Sequence, residues 1–154
     1  MIDDMEMVKK MVFESAVVLV VDDTESNRVL LRVLLEAKGL SVLLADSGQA
    51  AIGIAKESRP DLIIMDIKMP DKNGIVACRE IMTKWPQIKV IMLTSFVDDH
   101  LIVEAIQAGA VGYVLKGVST DELLRALDAV RDGEALLDPA ITQRVLTFMR
   151  DKNP

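Results

Sequence analysis

One cysteine and one histidine are present in 154 residues. Cys78 alone cannot close an intrachain disulfide, form a CxxC redox pair or build a cysteine zinc cluster, and a reducing compartment is the setting expected. With His100 as the only imidazole, a multi-histidine zinc site and most Ser/His/Asp arrangements are excluded. Long apolar runs are missing as well: the longest, Ala16 to Val21, falls far short of the roughly 20 residues of a membrane helix. The opening MIDDMEMVKK places acids ahead of any apolar stretch, unlike a secretory leader. Bases are outnumbered, with 18 Lys plus Arg against 24 Asp plus Glu and a net charge of -6. That balance argues against direct nucleic-acid binding by this segment. Together the absences lead us to expect a soluble, cytoplasmic protein with no membrane association.

What is present suits a single folded unit. Apolar residues make up 51% of the chain and charged residues 27%, a balance that supports a core and excludes general disorder. Short apolar runs alternate with segments of helical period, which argues for a parallel sheet covered by helices on both faces. Five runs read as strands: Val17 to Val21, Ser41 to Ala45, Leu62 to Met65, Val90 to Leu93 and Gly112 to Leu115.

The intervening segments carry helix signals. Val29, Leu30, Val33, Leu34 and Ala37 predict one apolar stripe on a first helix ending near Gly39. Ala50, Ala51, Ile54 and Ala55 do the same for a second. A third spans Ile75 to Trp85, after Gly74 and before Pro86. Asp98 or Asp99 caps a fourth that closes at Gly109, and Ser119 with Glu122 has capping-box spacing for a fifth ended by Gly133. Asp138 and Pro139 read as N-cap and first residue of a sixth, with Ile141, Val145 and Met149 along one face. Residues 1–14 stand apart as an N-terminal extension, read either as a frayed tail or as an amphipathic turn docking on a partner.

In an open parallel sheet, ligands bind beyond the carboxyl ends of the strands. Asp22 and Asp23 follow the first run, Asp66 the third, Thr94 and Ser95 the fourth, and Lys116 the fifth. Taken singly, each is most simply a cap, a turn residue or a solvated charge. Taken together, three carboxylates, a hydroxyl pair and an ammonium converge on one edge. Clustered carboxylates repel unless a cation joins them, so the set reads as a site for a hard divalent ion such as magnesium. A cation, a lysine and a hydroxyl match the three equatorial oxygens of a phosphoryl group in transfer, with Asp66 as the nucleophile.

The segments VVLVVDDTESNR, PDLIIMDIKMPDKNG, KVIMLTS and AGAVGYVLKG resemble the receiver domain of bacterial two-component response regulators, over roughly Ala16 to Gly133. The resemblance implies a flavodoxin-like, doubly wound five-stranded parallel sheet of order 2-1-3-4-5. It further implies Asp66 as phosphoacceptor and Asp22 and Asp23 as the acidic pair. It places Mg2+ on Asp23, Asp66 and the backbone carbonyl of Lys68, beside Asp22. Thr94 becomes the switch hydroxyl, Tyr113 the switch aromatic and Lys116 the family lysine. The implied partner is a sensor histidine kinase or a phosphotransfer protein, and the chain is a phosphoacceptor signalling domain that assists its own phosphorylation and dephosphorylation.

Departures from the family pattern are visible. Gly117 follows Lys116 where many receivers carry proline, so a cis Lys-Pro bond is not expected. Lys68 and Phe96 stand two residues after Asp66 and Thr94, at positions that resemble the family's tuning sites for phosphoryl lifetime. The stretch from Thr94 to Leu146 resembles the NarL/LuxR type, in which the receiver leads to a helix-turn-helix output domain. Division into 1–14, a receiver over 15–133 and a C-terminal helix or linker over 134–154 follows, the last with a dimer contact through Leu146 and Met149 as one option. The chain reads either as the receiver part of a transcription factor or as a stand-alone phosphotransfer receiver. A magnesium-dependent aspartyl-phosphate phosphatase is a further alternative, weakened by Lys68 where such enzymes commonly need an acid/base Asp. A flavin-binding use of the same fold is weakened by an aromatic content of only 3%.

Overall fold

The structure is a computed structural model and describes residues 16–95, 98–117, 119–133, 136–137 and 139–152. Residues 1–14, Phe96 and Asp138 lie outside the described residues, as do the side chains of Ile141 and Met149. In chain order the elements are β1 (Val17–Val21), α1 (Glu25–Glu36), β2 (Ser41–Ala45), α2 (Gly48–Ser58), β3 (Leu62–Met65), α3 (Gly74–Lys84), β4 (Lys89–Thr94), α4 (Asp99–Gln107), β5 (Gly112–Leu115), α5 (Thr120–Arg131), β6 (Leu136–Leu137) and α6 (Pro139–Lys152).

All strand pairs are parallel, in the order β2-β1-β3-β4-β5-β6. The expected order 2-1-3-4-5 is therefore present, and a two-residue strand, β6, extends its edge. Leu136 and Leu137 pair with Gly112 and Tyr113, a contact between distant segments that local pattern does not reveal.

The two faces of the sheet bury separate cores, because successive strand residues point to opposite sides. Val18 and Val20 of β1 pack with Leu31 and Leu35 of α1 and with Leu123 and Leu127 of α5. Leu19 and Val21 pack with residues of α2, α3 and α4, among them Ala51, Cys78, Ile81 and Ile102. Cys78 is fully buried, its Sγ 3.7 Å from the Ala108 carbonyl oxygen, and burial pushes its thiol up to about 12. It serves as a packing residue.

Among the described residues, four helices start on side-chain caps. Ser47 accepts from Ala50 N–H, Asn73 from Val76 N–H, Asp98 from His100 and Leu101 N–H, and Ser119 from Glu122 N–H. Each such cap contributes about 1 kcal/mol. Gly39, Gly109 and Gly133 stand at positive φ just past the ends of α1, α4 and α5, where a left-handed residue ends a helix. Trp85 closes α3 at the sheet edge opposite the strand carboxyl ends, with the Arg59 guanidinium 5.0 Å from its ring centroid.

The expected stripe on α1 needs correction. Val29, Leu30 and Val33 are exposed by 38%, 57% and 57%, and the buried positions are Leu31 and Leu35. Residues 29–35 are apolar at every position but Arg32, so periodicity alone does not choose the face.

α6 packs against α4. Val145 is buried in the same core as Tyr113, Ile102 and Ala105. Arg144 Nε lies 2.6 Å from Asp99 Oδ1, and the Phe148 ring meets His100 edge-on at 4.8 Å. Burial of a valine contributes about 1.5–3 kcal/mol, and a half-exposed ion pair or one aromatic pair about 1 kcal/mol each.

The corrected face of α1 makes a direct contrast. Leu35→Ala should lower unfolding free energy by about 2–5 kcal/mol and Leu30→Ala by under about 1 kcal/mol in urea titrations; equal losses would contradict the assignment.

Candidate functional site

The site forms where β1, β3, β4 and β5 end. Asp22 and Asp66 directly follow β1 and β3, Thr94 closes β4, and Lys116 directly follows β5. The ladders continue one step beyond the strands: Asp22 N–H donates to Ala45 O at 3.2 Å, Asp66 N–H to Val21 O at 2.9 Å and Lys116 N–H to Thr94 O at 2.7 Å. Backbone pairing thus fixes the Cα positions from which these functional side chains start.

Asp22, Asp66 and Thr94 are buried. Among the described residues, Asp22, Asp23 and Asp66 can bring one carboxylate oxygen each within 4.8 Å of one another. Asp23 faces solvent. Lys116 joins chemistry separated by most of the chain, its Nζ lying 2.9 Å from Asp22 Oδ2 and 3.5 Å from Asp66 Oδ1. The Asp66 carboxyl is raised above the usual carboxylate range, first by burial, then by the charges of Asp22 and Asp23, against the opposing pull of Lys116. Burial alone would lower the Lys116 ammonium, but its hydrogen bond to Asp22 and the charges of Asp66 and Asp22 raise it. The Lys116 ammonium therefore faces Asp22 and Asp66, with Asp23 beside them, and the donor set is all oxygen. This composition fits a hard divalent cation, which would relieve the remaining repulsion.

Asp22 is held by neighbours that sequence reading had not singled out. Thr24 N–H donates to its Oδ1 at 2.9 Å, Asn27 Nδ2 lies 3.4 and 3.3 Å from its two oxygens, and Arg28 Nη1 donates to its backbone carbonyl at 2.7 Å. The signal was the segment DDTESNR, in which polar residues at the head of α1 looked like ordinary helix-start residues. The Asp22 carboxylate is consequently oriented toward Lys116 and is not a solvated turn residue.

Two glycines allow the loop after β3 to close. A Cβ at Gly74 would collide with the Asp66 carbonyl oxygen and come within 2.8 Å of Met65 Cγ. One at Gly48 would lie 2.9 Å from the Lys72 carbonyl oxygen. Asp71 takes a positive φ of 67° in this loop, and Lys72 is fastened by a 2.7 Å ion pair to Glu80. Lys68 is exposed on the same loop. No cis peptide bond occurs among the described residues, and Gly117 instead takes φ 96° directly after Lys116.

Tyr113 is 2% exposed. Burial pushes its phenol up to about 12, with Asp98 adding to the shift and Arg144 opposing it. Its partner across the ladder is Met92, two residues before Thr94. The structure thus brings Asp22, Asp23, Asp66 and Lys116 together, sets Thr94 at the same strand edge, and leaves Tyr113 in the adjoining core.

A groove between α1 and α5 opens beside the carboxylates. It is lined by Asn27, Leu30, Leu34, Leu93, Leu115 and Leu123, among others, with Asp22 and Lys116 at its head. No helix among the described residues is long and apolar enough to cross a membrane.

Comparison with known proteins agrees with this geometry. The family model described as "Response regulator receiver domain" matches residues 18–128. The transcriptional regulatory protein LnrK of Bacillus subtilis is 40% identical over 138 residues, covering 88% of this chain and 63% of that protein. The response regulator GacA of Pseudomonas aeruginosa is 37% identical over 130 residues, covering 83% of this chain and 61% of that protein. The chain thus spans about three fifths of the length of these curated relatives. Among solved structures, a LuxR-family two-component response regulator from Aurantimonas superposes with a TM-score of 0.80 at 29% identity, covering 88% of this chain and 98% of that one. By sequence and by fold, this chain belongs to the response regulator receiver domain family.

Proposed function

We propose that Asp66 accepts a phosphoryl group from a phosphohistidine of a sensor histidine kinase or phosphotransfer protein, or from a small acyl phosphate. The observation that carries this reading is the Lys116 ammonium, 2.9 Å from Asp22 and 3.5 Å from Asp66 within a cluster of three carboxylates.

An Asp66 Oδ attacks phosphorus as the bond to the donor's nitrogen or acyl oxygen breaks, and the leaving group departs in line. Lys116 already stands between Asp22 and Asp66, so it can hold one developing phosphoryl oxygen without a large movement. The Thr94 hydroxyl serves a second oxygen. Asp22, oriented by Thr24 and Asn27, keeps Lys116 aimed at the reaction centre. Asp23, Asp66 and the backbone carbonyl of Lys68, with Asp22 completing the acidic pair, would hold a magnesium ion, which would supply charge neutralisation for the transfer. Later attack of water on phosphorus breaks the Asp66 Oδ–P bond, releases inorganic phosphate and returns Asp66 to its carboxylate.

The acyl phosphate carries a charge of about -1.5 to -2 near neutral pH. This charge draws Lys116 and Thr94 inward and biases the α4–β5–α5 surface. The α1–α5 groove, with exposed Leu30 near its mouth, is the surface we assign to the phosphodonor, because it opens directly beside Asp22 and Lys116. The longer relatives bearing transcriptional names support control of gene expression through a segment beyond the receiver, and a cytoplasmic setting belongs to the same reading.

Incubation with magnesium and acetyl phosphate should add one phosphoryl group by intact mass, and Asp66→Asn should abolish it; an adduct that survives this substitution overturns the assignment. Cation binding should appear as stabilisation. At magnesium ten times its dissociation constant the gain is about 1.4 kcal/mol, read as a rise of a few degrees in Tm, and Asp23→Asn should remove most of it.

Without cation, Asp66→Asn should raise Tm, because it replaces a buried carboxylate that neighbouring Asp22 and Asp23 repel. The sign follows from linkage: a carboxyl raised by folding binds protons more tightly in the native state, so its ionisation costs stability as pH climbs above the ordinary carboxylate range. The benefit of Asn should accordingly grow from pH 4 to pH 7 (about 4 being the ordinary value), and a variant less stable than wild type at neutral pH would contradict it.

A further inference from the structure

Among the described residues, α6 stands outside the repeating strand-helix pattern, yet it is seated on α4 and on the core beneath. Among its described side chains, three take part in the contact. Val145 is 8% exposed and belongs to the buried cluster that contains Tyr113, Ile102 and Ala105. Arg144 Nε pairs with Asp99 Oδ1 at 2.6 Å, and Phe148 packs edge-on against His100 at 4.8 Å. These positions, i, i+1 and i+4 on one helix, present a single face to the first turn of α4.

Tyr113 lies beneath this contact. Its ring is almost wholly buried, and the charges that act on its phenol are Asp98 at the head of α4 and Arg144 on α6. On the other side its ladder partner is Met92 of β4, whose chain leads in two residues to fully buried Thr94. Tyr113 is therefore packed between the strand that ends at the phosphoacceptor site and the helix that closes the described chain.

We propose that α6 is a latch on the α4–β5 face, and that phosphorylation of Asp66 unseats it and frees this face for a partner. The proposal rests on Asp66 being the phosphoacceptor. When the Thr94 hydroxyl moves to a phosphoryl oxygen, it withdraws volume from a close-packed region, and the buried Tyr113 ring, two ladder positions away on the adjacent strand, is a large group able to fill it. Movement of that ring leaves a void under Val145 and takes the phenol away from Arg144. The described contacts of α6 beyond Val145 include the Arg144–Asp99 ion pair and the Phe148–His100 ring pair, both with the first turn of α4. Release of such a helix-on-helix contact leaves the strand ladders paired. By reciprocity, a weaker latch makes the phosphoryl-bound state easier to reach.

Hydrogen exchange of the full chain, measured by peptide mass spectrometry with and without magnesium and acetyl phosphate, tests the latch. The adduct is verified by intact mass in the same sample. In the phosphorylated protein, amides of residues 139–152 should exchange roughly tenfold faster, within the usual span of coupled equilibria, while those of β1 and β3 are unchanged. An adduct with unchanged or slower exchange in α6, or with faster exchange throughout the sheet, overturns the latch and leaves the phosphoacceptor reading intact. Absence of an adduct overturns that reading and the latch with it. The double variant Arg144→Ala, Phe148→Ala leaves buried Val145 in place. It should bind beryllium fluoride with magnesium, a phosphoryl mimic, about fivefold more tightly than wild type; equal affinity in a folded variant overturns the coupling.

Discussion

The organisation of this protein depends on one ammonium group. Lys116 faces a concentration of negative charge that folding would otherwise oppose, since Asp22 and Asp66 are both buried and Asp23 adjoins them. Its contacts of 2.9 and 3.5 Å to Asp22 and Asp66 compensate only part of that charge. Burial raises Asp66 despite the lysine. The site proposed for a cation and a phosphoryl group is thus charge-frustrated when neither is bound, as expected where local stability is traded for reactivity.

Topology makes this arrangement inexpensive in structural terms. Parallel strands place their carboxyl ends at one edge, so residues far apart in the chain need only follow their strands by one position to meet. Fine placement comes from elsewhere. The Asp22 carboxylate is oriented by Thr24 and Asn27, and the loop after Asp66 closes because Gly74 and Gly48 have no Cβ to obstruct it. Under the proposed mechanism, the same closeness couples signal to packing. Thr94 and Tyr113 belong to adjacent strands, and neither can shift in a dense interior without the other being affected.

Much of this was legible in the sequence, for identifiable reasons. Strands buried on both faces must be continuously apolar, and their polar successors Asp22, Asp66 and Lys116 were conspicuous against those runs. Caps at Asp98 and Ser119 were legible because the chemistry is local. The buried side of α1 was not, because the run from Val29 to Leu35 is interrupted only by Arg32 and satisfies more than one facing. β6 escaped because a two-residue strand is defined by its partner. The roles of Asn27 and Gly74 escaped because each depends on a neighbour across a turn, Asp22 in one instance and the Asp66 carbonyl in the other.

The single tryptophan belongs to the same buried core as Tyr113. Trp85 closes α3 at the opposite edge of the sheet, 8% exposed, with the cationic groups of Arg59 and Lys84 at 5.0 and 5.9 Å from its ring. Its emission is set by that enclosed and positively charged surrounding. Optically, intrinsic tryptophan fluorescence is therefore a reporter of whether this core is folded.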